Sequence, residues 1–195
     1  MLRIISGTAG GIRIKAPDTD KTRPTLERVK ESVFGMLQPY IPGARVLDLF
    51  AGSGSLGLEA LSRGAEKAVF VDESKICKAV ILENIKKTRM EDRARVMVMD
   101  VYKAIASLAQ MKESFDMVFM DPPYSRNFVN KTLQTLEKSG IIIENGLVAV
   151  EHFEDEQPPD NIGRLSKVRF RSYGDTCFSF YVISPKESVE GGEQA

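Results

Sequence analysis

Five short apolar runs, separated by segments with helical spacing, occupy the middle of the chain and restrict its fold more than any other feature. The runs cover residues 46–50, 68–72, 96–100, 117–121 and 147–150. The helical segments between them cover residues 56–63, 76–87, 101–108 and 128–138. Nearly continuous apolar strands that alternate with helices are typical of a parallel sheet covered by helices on both faces. The sequence therefore predicts a doubly wound α/β domain.

A short extension is predicted before this domain. Residues 3–15 alternate between apolar and polar types around Gly10 and Gly11, which predicts a β-hairpin arm. Thr25 is expected to cap a helix whose apolar residues recur at helical spacing and which ends before Pro39. The extension is too short to be a domain of its own.

The C-terminal part of the domain has a different pattern. Two apolar runs, 167–173 and 177–183, are joined by Gly174 and Asp175, which predicts an antiparallel hairpin at one edge of the sheet. With the five parallel strands, this hairpin gives an expected sheet of seven strands. The expected organisation is an arm and helix in residues 1–40, the main domain in residues 41–184, and a disordered tail rich in Glu and Gly in residues 185–195.

Charge is balanced over the whole chain, with 27 Lys and Arg residues against 27 Asp and Glu residues. This balance argues against a protein covered in positive potential, although a local basic face can still bind a polyanion. Basic residues concentrate in residues 1–44 and in a strip from Arg164 to Arg171. Five of the basic residues in these stretches are expected to contact phosphates of a nucleic acid: Arg13, Lys15, Arg23, Arg169 and Arg171.

Several classes of protein are disfavoured. No apolar run approaches the length of a membrane-spanning helix, and the first residues contain no export signal, so we expect a cytoplasmic protein. Cys77, Cys177 and His152 have no partner at metal-ligand spacing, so no metal is expected. Neither cysteine lies in a loop suited to a covalent nucleophile, which argues against a reaction that proceeds through a cysteine adduct.

A glycine-rich segment from Asp48 to Gly57 follows the first predicted strand, where open α/β sheets bind ligands. Gly52 and Gly54 let the backbone pass close to a bound molecule, and Gly57 permits tight packing of helix on strand. The glycine spacing also fits the dinucleotide fingerprint, and Asp72 stands where a ribose-binding acid belongs. Taken alone, this segment does not separate a nicotinamide cofactor from S-adenosylmethionine.

The acids at the strand ends favour S-adenosylmethionine. A carboxylate at Asp48 would lie near the negative phosphates of a dinucleotide, but it would attract the positive methionine end of S-adenosylmethionine. Asp72 can accept from both ribose hydroxyls and Asp100 from the adenine amine, although all three acids could instead simply cap helices. The predicted cofactor-binding residues are Asp48, Phe50, Ala51, Gly52, Ser53, Gly54, Asp72 and Asp100.

The most informative motif is Asp121-Pro122-Pro123-Tyr124, at the end of the fourth predicted strand. Neither proline can continue the hydrogen-bond ladder, so together they hold a rigid loop above the sheet. Such a loop suits a flipped base, because Tyr124 can stack on it while oxygens of Asp121 and Pro122 accept hydrogen bonds from its amine. The four residues are therefore the predicted catalytic set, and they would orient an exocyclic amine toward the methyl donor.

These motifs together resemble those of the bacterial 16S rRNA guanine-N2 methyltransferase family. The resemblance is carried by RIISG (3–7), RPT (23–25), DLFAGSG (48–54), LGLEALSRGA (56–65), DPPY (121–124) and YG (173–174). It implies a class I, Rossmann-like methyltransferase fold, S-adenosylmethionine as cofactor, and one modified guanine in 16S rRNA presented by an at least partly assembled 30S subunit. Asp72 stands where many members have glutamate and Lys30 where arginine is common, and both differences keep the charge. We expect a monomer without an obligate protein partner.

Other functions compete with this one. Asp-Pro-Pro-Tyr also suits adenine, so an N6-adenine methyltransferase acting on DNA or RNA is the nearest alternative, although the chain has no separate target-recognition domain. Protein glutamine methyltransferases usually have Asn at the position of Asp121. A nicotinamide-dependent oxidoreductase would explain the glycines and Asp72 alone. A non-catalytic RNA-binding module would leave the candidate catalytic residues without a role.

Overall fold

A computed structural model of the chain describes residues 2–17, 24–123 and 128–185. The helices are α1 (Pro24–Leu37), α2 (Ser55–Ser62), α3 (Lys75–Thr88), α4 (Val101–Gln110) and α5 (Phe128–Ser139), with short 3-10 turns at Gln38–Tyr40 and Glu91–Arg93. The strands are β1 (Arg45–Leu49), β2 (Lys67–Asp72), β3 (Ala94–Val98), β4 (Phe115–Met120), β5 (Ile142–Phe153), β6 (Asn161–Ile162), β7 (Leu165–Tyr173) and β8 (Thr176–Ile183). None of these helices is long and apolar enough to cross a membrane.

The strands form one mixed sheet in the order β3-β2-β1-β4-β5-β8-β7-β6. The first five strands are parallel, and β8, β7 and β6 continue the sheet in antiparallel fashion. The predicted α/β fold and C-terminal hairpin are confirmed. The sheet has eight strands rather than seven, because β6 adds a two-residue strand that is too short to show any alternation in the sequence.

Strand β5 is much longer than the run of four residues from which it was predicted. Its first half contains the polar residues Glu144 and Asn145, and Asn145 has a positive φ of 62°. The pairing of β4 with β5 shifts register in this half, between Phe115 and Met117. An irregular, partly polar strand lacks the apolar run that identifies a buried parallel strand, which explains the underestimate.

Helices cover both faces of the sheet, as predicted. Helices α1, α2 and α3 pack on one face and form a first core cluster that includes Phe34, Val46 and Phe119. Helices α4 and α5 pack on the other face and form a second core cluster that includes Leu47 and Val118. Because side chains alternate along a strand, membership of one cluster or the other tells which face a residue occupies.

The N-terminal arm is bent back on itself, with one isolated bridge between Arg3 and Arg13 rather than a two-stranded ladder. The turn of the arm is hydrogen-bonded to α2: the Thr8 amide donates to the Ser62 carbonyl over 2.8 Å. Helix α1 begins at Pro24, so Thr25 lies in its first turn and not at the expected cap. Ile4 and Ile14 belong to the first core cluster, which makes the arm part of the main hydrophobic core.

A buried carboxylate attaches the arm to α2. Glu59 is fully buried, and its oxygens accept from the amides of Ile5 (2.7 Å) and Ser6 (3.1 Å). The same carboxylate pairs with Lys30 of α1 at 3.3 Å and with Arg63 at 2.7 Å. Four partners from three parts of the chain thus converge on one side chain.

Candidate active site

A cavity of about 490 Å³ opens at the carboxyl ends of the parallel strands. Its lining includes every predicted cofactor-binding residue except Gly54, together with Asp121, Pro122 and Pro123. Six further residues line it that the sequence analysis did not select: Ser55, Leu56, Glu73, Val101, Tyr102 and Phe128. Ser55, Glu73 and Val101 directly follow a predicted residue in the sequence, and Leu56 and Tyr102 lie one position further along. Tyr124 lies outside the described residues.

The glycine-rich loop turns sharply between β1 and α2. Phe50 has a φ of 60°, which is rare for an aromatic residue and marks local strain of the kind found at functional sites. The loop is held by hydrogen bonds from the Ala51 amide to the Val71 carbonyl (2.9 Å) and from the Gly54 amide to the Ala51 carbonyl (2.6 Å). The Phe50 ring packs edge-on against Phe128, with 6.1 Å between centroids. Both rings line the cavity beside the loop.

Gly57 lets α2 approach the sheet closely. A β-carbon there would lie 2.4 Å from Cε1 of Phe70, a fully buried ring, and 3.1 Å from Oδ2 of Asp48. We expect Gly57→Ala to lower the free energy of unfolding in urea by about 1–3 kcal/mol, because the tightly packed ring must shift. Gly35→Ala in α1 is the matched control, since a β-carbon there meets no atom within 4 Å. Equal stability of the two variants would contradict the packing role of Gly57.

Asp48 is buried in the cavity wall, and its Oδ2 accepts from the Gly57 amide at 2.9 Å. Burial raises the pKa of its carboxyl to about 8, against the opposing effect of the Gly57 hydrogen bond. The negative charges of Asp121 and Asp72 raise the same pKa further. A cation bound in this cavity would relieve that repulsion, as expected for the methionine end of S-adenosylmethionine.

The other two acids hold nearby backbone. Asp72 accepts from the amides of Gly52 (2.9 Å) and Ser74 (2.8 Å), one on each carboxyl oxygen. Since a carboxylate oxygen can accept two hydrogen bonds, both remain able to bind ribose hydroxyls. Asp100 caps α4, which is the structural role considered above as the alternative to cofactor binding. Its Oδ1 accepts from the amides of Tyr102 and Lys103, and its other carboxyl oxygen takes no part in this cap.

The Asp121-Pro122-Pro123 segment follows β4 and forms one end of the cavity. Asp121 and Pro123 are exposed, and Pro122 is buried. The charge of Asp121 also raises the pKa of Glu151, after the larger effect of burial. Glu151 was not selected in the sequence, although it too is an acid near the carboxyl end of a strand.

The predicted RNA-binding residues form two groups. Arg13 and Lys15 are exposed on the arm, where Lys15 pairs with Glu83 at 2.6 Å. Arg169 and Arg171 are exposed on β7. Arg23 lies outside the described residues.

The arm is fastened to the glycine-rich loop by a buried amide, Asn84 of α3. Its Oδ1 accepts from the Lys15 amide (2.8 Å), while its Nδ2 donates to the carbonyls of Lys15 (2.9 Å) and Ser53 (2.9 Å). A second link is made by Lys30, whose Nζ donates to the Arg3 carbonyl (2.6 Å) and to Oγ of Ser55 (3.0 Å). No sequence pattern joined these residues to the site, since they come from separate elements.

Comparison with known proteins assigns the chain to a family. The model of the family described as "Conserved hypothetical protein 95" matches residues 2–182. The chain belongs to this family. It is 37% identical over 180 residues to "Putative rRNA methyltransferase YlbH" of Bacillus subtilis, covering 92% of this chain and 98% of that protein. It is 34% identical to "Ribosomal RNA small subunit methyltransferase D" of Escherichia coli over 92% of this chain and 89% of that protein.

A solved structure agrees with this assignment. "Putative methyltransferase yhhF from Escherichia coli" superimposes with a TM-score of 0.82 at 31% identity, over 94% of this chain and 98% of that one. The resemblance to the 16S rRNA methyltransferase family and the methyltransferase fold are thereby confirmed. A nicotinamide-dependent oxidoreductase is not supported, because the relatives that match over most of the chain are named as methyltransferases.

Proposed function

We propose that this protein transfers a methyl group from S-adenosylmethionine to the exocyclic N2 amine of one guanine in 16S rRNA, within an assembled or partly assembled 30S subunit. The observation that carries the proposal is the cavity in which Asp48, Asp72 and Asp100 line one part and Asp121 with two prolines forms the end. Relatives named as ribosomal RNA methyltransferases, one of them of the small subunit, support the RNA substrate.

The residues of the cavity fit S-adenosylmethionine. When bound, this cofactor supplies an electrophilic methyl group on a positively charged sulfur. Asp48 offers a buried carboxyl that a cation stabilises in its ionised form, while Asp72 offers acceptors for ribose hydroxyls and Asp100 for the adenine amine. Among the described residues, no group of three or more acids, histidines and cysteines could hold a metal ion.

Asp121 and Pro122 hold the amine that is methylated. Their oxygens accept its hydrogens and keep the nitrogen lone pair directed at the methyl group, so positioning supplies much of the rate enhancement. Transfer of the methyl group that the cofactor would supply leaves the amine nitrogen positively charged. The Asp121 carboxylate stabilises that charge and can accept the proton that the amine then loses.

The test is transfer of labelled methyl to 30S subunits from cells lacking the gene, with naked 16S rRNA and DNA assayed in parallel and the modified nucleosides identified. We expect label in N2-methylguanosine from 30S subunits. Label in N6-methyladenine alone would replace guanine by adenine as the target. Absence of label from every RNA substrate would refute the proposal.

The high pKa of Asp48 gives a separate test of cofactor placement. The raised pKa of about 8 means that the Asp48 carboxyl holds its proton at pH 7, whereas a bound cation favours the ionised form. Binding of S-adenosylmethionine at pH 7 should therefore release up to about one proton. Calorimetry in phosphate and Tris buffers measures this release, because their ionisation enthalpies differ.

Asp48→Asn is the control for that measurement, since the amide has no proton to lose in this range. Equal binding heats in both buffers for the unmodified protein would place the cofactor's charge away from Asp48.

Without cofactor, the raised pKa of Asp48 means that the folded state holds more protons than the unfolded state between about pH 4 and pH 8. The contribution of Asp48 to stability should therefore fall as the pH rises through that range.

A further inference from the structure

Glu151 lies beside Asp121 on the neighbouring strand. Met120, the last residue of β4, and Val150 of β5 are register partners; Asp121 directly follows Met120, and Glu151 is the next residue of β5. Phe119 and Ala149, two residues earlier, both belong to the first core cluster. By alternation, the side chains of Asp121 and Glu151 point to this same face.

Three acids thus follow one another across the sheet. Asp48 of β1 is the register partner of Phe119, so its side chain lies on the same face as those of Asp121 and Glu151. The cavity is lined by Asp48 and Asp121 but not by Glu151, which places Glu151 on the side of Asp121 away from the cofactor. The charge of Asp121 raises the pKa of both neighbours, which is consistent with its middle position.

The line of register partners that contains Glu151 continues across the sheet to an exposed arginine, Arg171. Glu151 is the register partner of Phe178 in β8, and Phe178 is the partner of Arg171 in β7. At about 4.8 Å between neighbouring strands, Arg171 lies roughly 14 Å from Asp121 across the sheet. A nucleotide whose amine is held at Asp121 would therefore extend past Glu151 toward a basic side chain that can receive phosphate.

We propose that Glu151 reads the identity of the target base, by accepting a hydrogen bond from the ring N–H next to the amine that Asp121 holds. This inference rests on the proposed function and adds a specificity-determining residue to it. Guanine has an N1–H donor beside its N2 amine, so two adjacent donors meet two adjacent acceptors. Adenine has an acceptor, N1, beside its N6 amine, and that nitrogen would face the Glu151 oxygen and be repelled.

The arrangement works in either protonation state of Glu151. Burial and the nearby Asp121 raise its pKa, which favours the neutral carboxyl. A neutral carboxyl keeps a carbonyl oxygen that accepts from the base, and its one O–H donates to the Asp121 carboxylate, so no donor of Glu151 is left for N1 of adenine. Glu151 is half-buried as a residue.

The experiment varies the base and the residue together. 30S subunits are reconstituted with guanosine or 2-aminopurine riboside at the target position, and methyl transfer to each is measured. 2-Aminopurine keeps the 2-amine but has an acceptor at N1. Because the site is built to bind an N–H, the unmodified enzyme should prefer guanosine by about 100-fold or more.

Two variants should change this preference differently. Glu151→Leu removes the acceptor, so guanosine turnover should fall by about 10- to 100-fold and the preference should approach one. Glu151→Gln keeps an acceptor and has two N–H donors where a neutral Glu151 has one O–H, so a donor becomes available to N1 of 2-aminopurine. Guanosine turnover should be largely retained while 2-aminopurine turnover rises. Any intrinsic difference in reactivity between the two bases cancels, since each variant is compared on both substrates.

Glu154→Gln, an exposed acid three residues along, is the matched control and should leave both rates unchanged. Binding of S-adenosylmethionine to each variant shows whether it is folded, and if Glu151→Leu is not, Glu151→Gln still decides. An unchanged base preference in Glu151→Gln would overturn the inference while leaving the proposed function intact. Failure of the unmodified enzyme to methylate guanosine would overturn both.

Discussion

Asp121→Ala is expected to reduce methyl transfer by about 100- to 1,000-fold or more while leaving affinity for S-adenosylmethionine largely unchanged. The reason is the position of Asp121 at the end of the cavity, beyond the acids assigned to the cofactor. Its carboxylate is expected to act on the amine, whose lone pair is otherwise delocalised into the base. Single-turnover transfer to 30S subunits measures the first effect, and equilibrium dialysis with labelled cofactor measures the second.

Asp92→Ala is the matched control, because Asp92 is an exposed acid that precedes β3, away from the carboxyl ends where the cavity opens. It should change neither quantity. A large loss of cofactor binding in Asp121→Ala would instead place Asp121 mainly in the cofactor site. In that case the amine would have to be oriented by backbone oxygens of the loop.

The second large effect is expected from Glu59→Ala, which should lower the free energy of unfolding by about 3–5 kcal/mol. The change leaves the Lys30 ammonium buried after its carboxylate partner at 3.3 Å is removed, and it leaves two amides of the arm without their acceptor. Burial already lowers the pKa of Lys30, and Glu59 is the main group opposing that shift. Urea denaturation measures the loss.

Hydrogen exchange locates the same effect in the chain. The amides of Ile5 and Ser6 should exchange faster in Glu59→Ala, since Glu59 is their acceptor. Glu66→Ala is the control, because its pair with Lys67 is exposed and 3.8 Å long, and it should cost less than about 1 kcal/mol. A loss of similar size in both variants would show that the buried pair adds little to stability.

Most of the residues that line the cavity could be predicted because their placement depends on a local rule. In a parallel sheet the carboxyl ends of the strands meet at one edge, so acids and glycines placed there in the sequence converge in space. Asp48, Asp72, Asp100 and Asp121 all follow this rule and all line the cavity. Gly54 does not line it, because it serves the turn into α2, where its positive φ of 77° suits glycine.

The residues that were missed depend on longer-range relations. Glu151 follows the same rule as Asp121, but its strand was recognised only as a four-residue run that stops one position before it. Lys30 and Glu59 look like ordinary surface charges on helices, and only the packing of α1 against α2 buries them together. Asn84 is similar, since a polar residue in a helix gives no sign that two other segments of chain meet there.

The hydrogen bonds of Asn84 have a thermodynamic consequence for the binding of RNA and of the cofactor. One amide group holds Lys15 on the arm and Ser53 in the wall of the cavity, so residue 15 cannot move without shifting residue 53 or breaking these bonds. If RNA draws the arm into a different position, the affinity for cofactor must change with it. Linkage is reciprocal, so the cofactor then alters the affinity for RNA by the same factor. Through the hydrogen bonds of Asn84, binding of either ligand would thus change the affinity for the other before the methyl group is transferred.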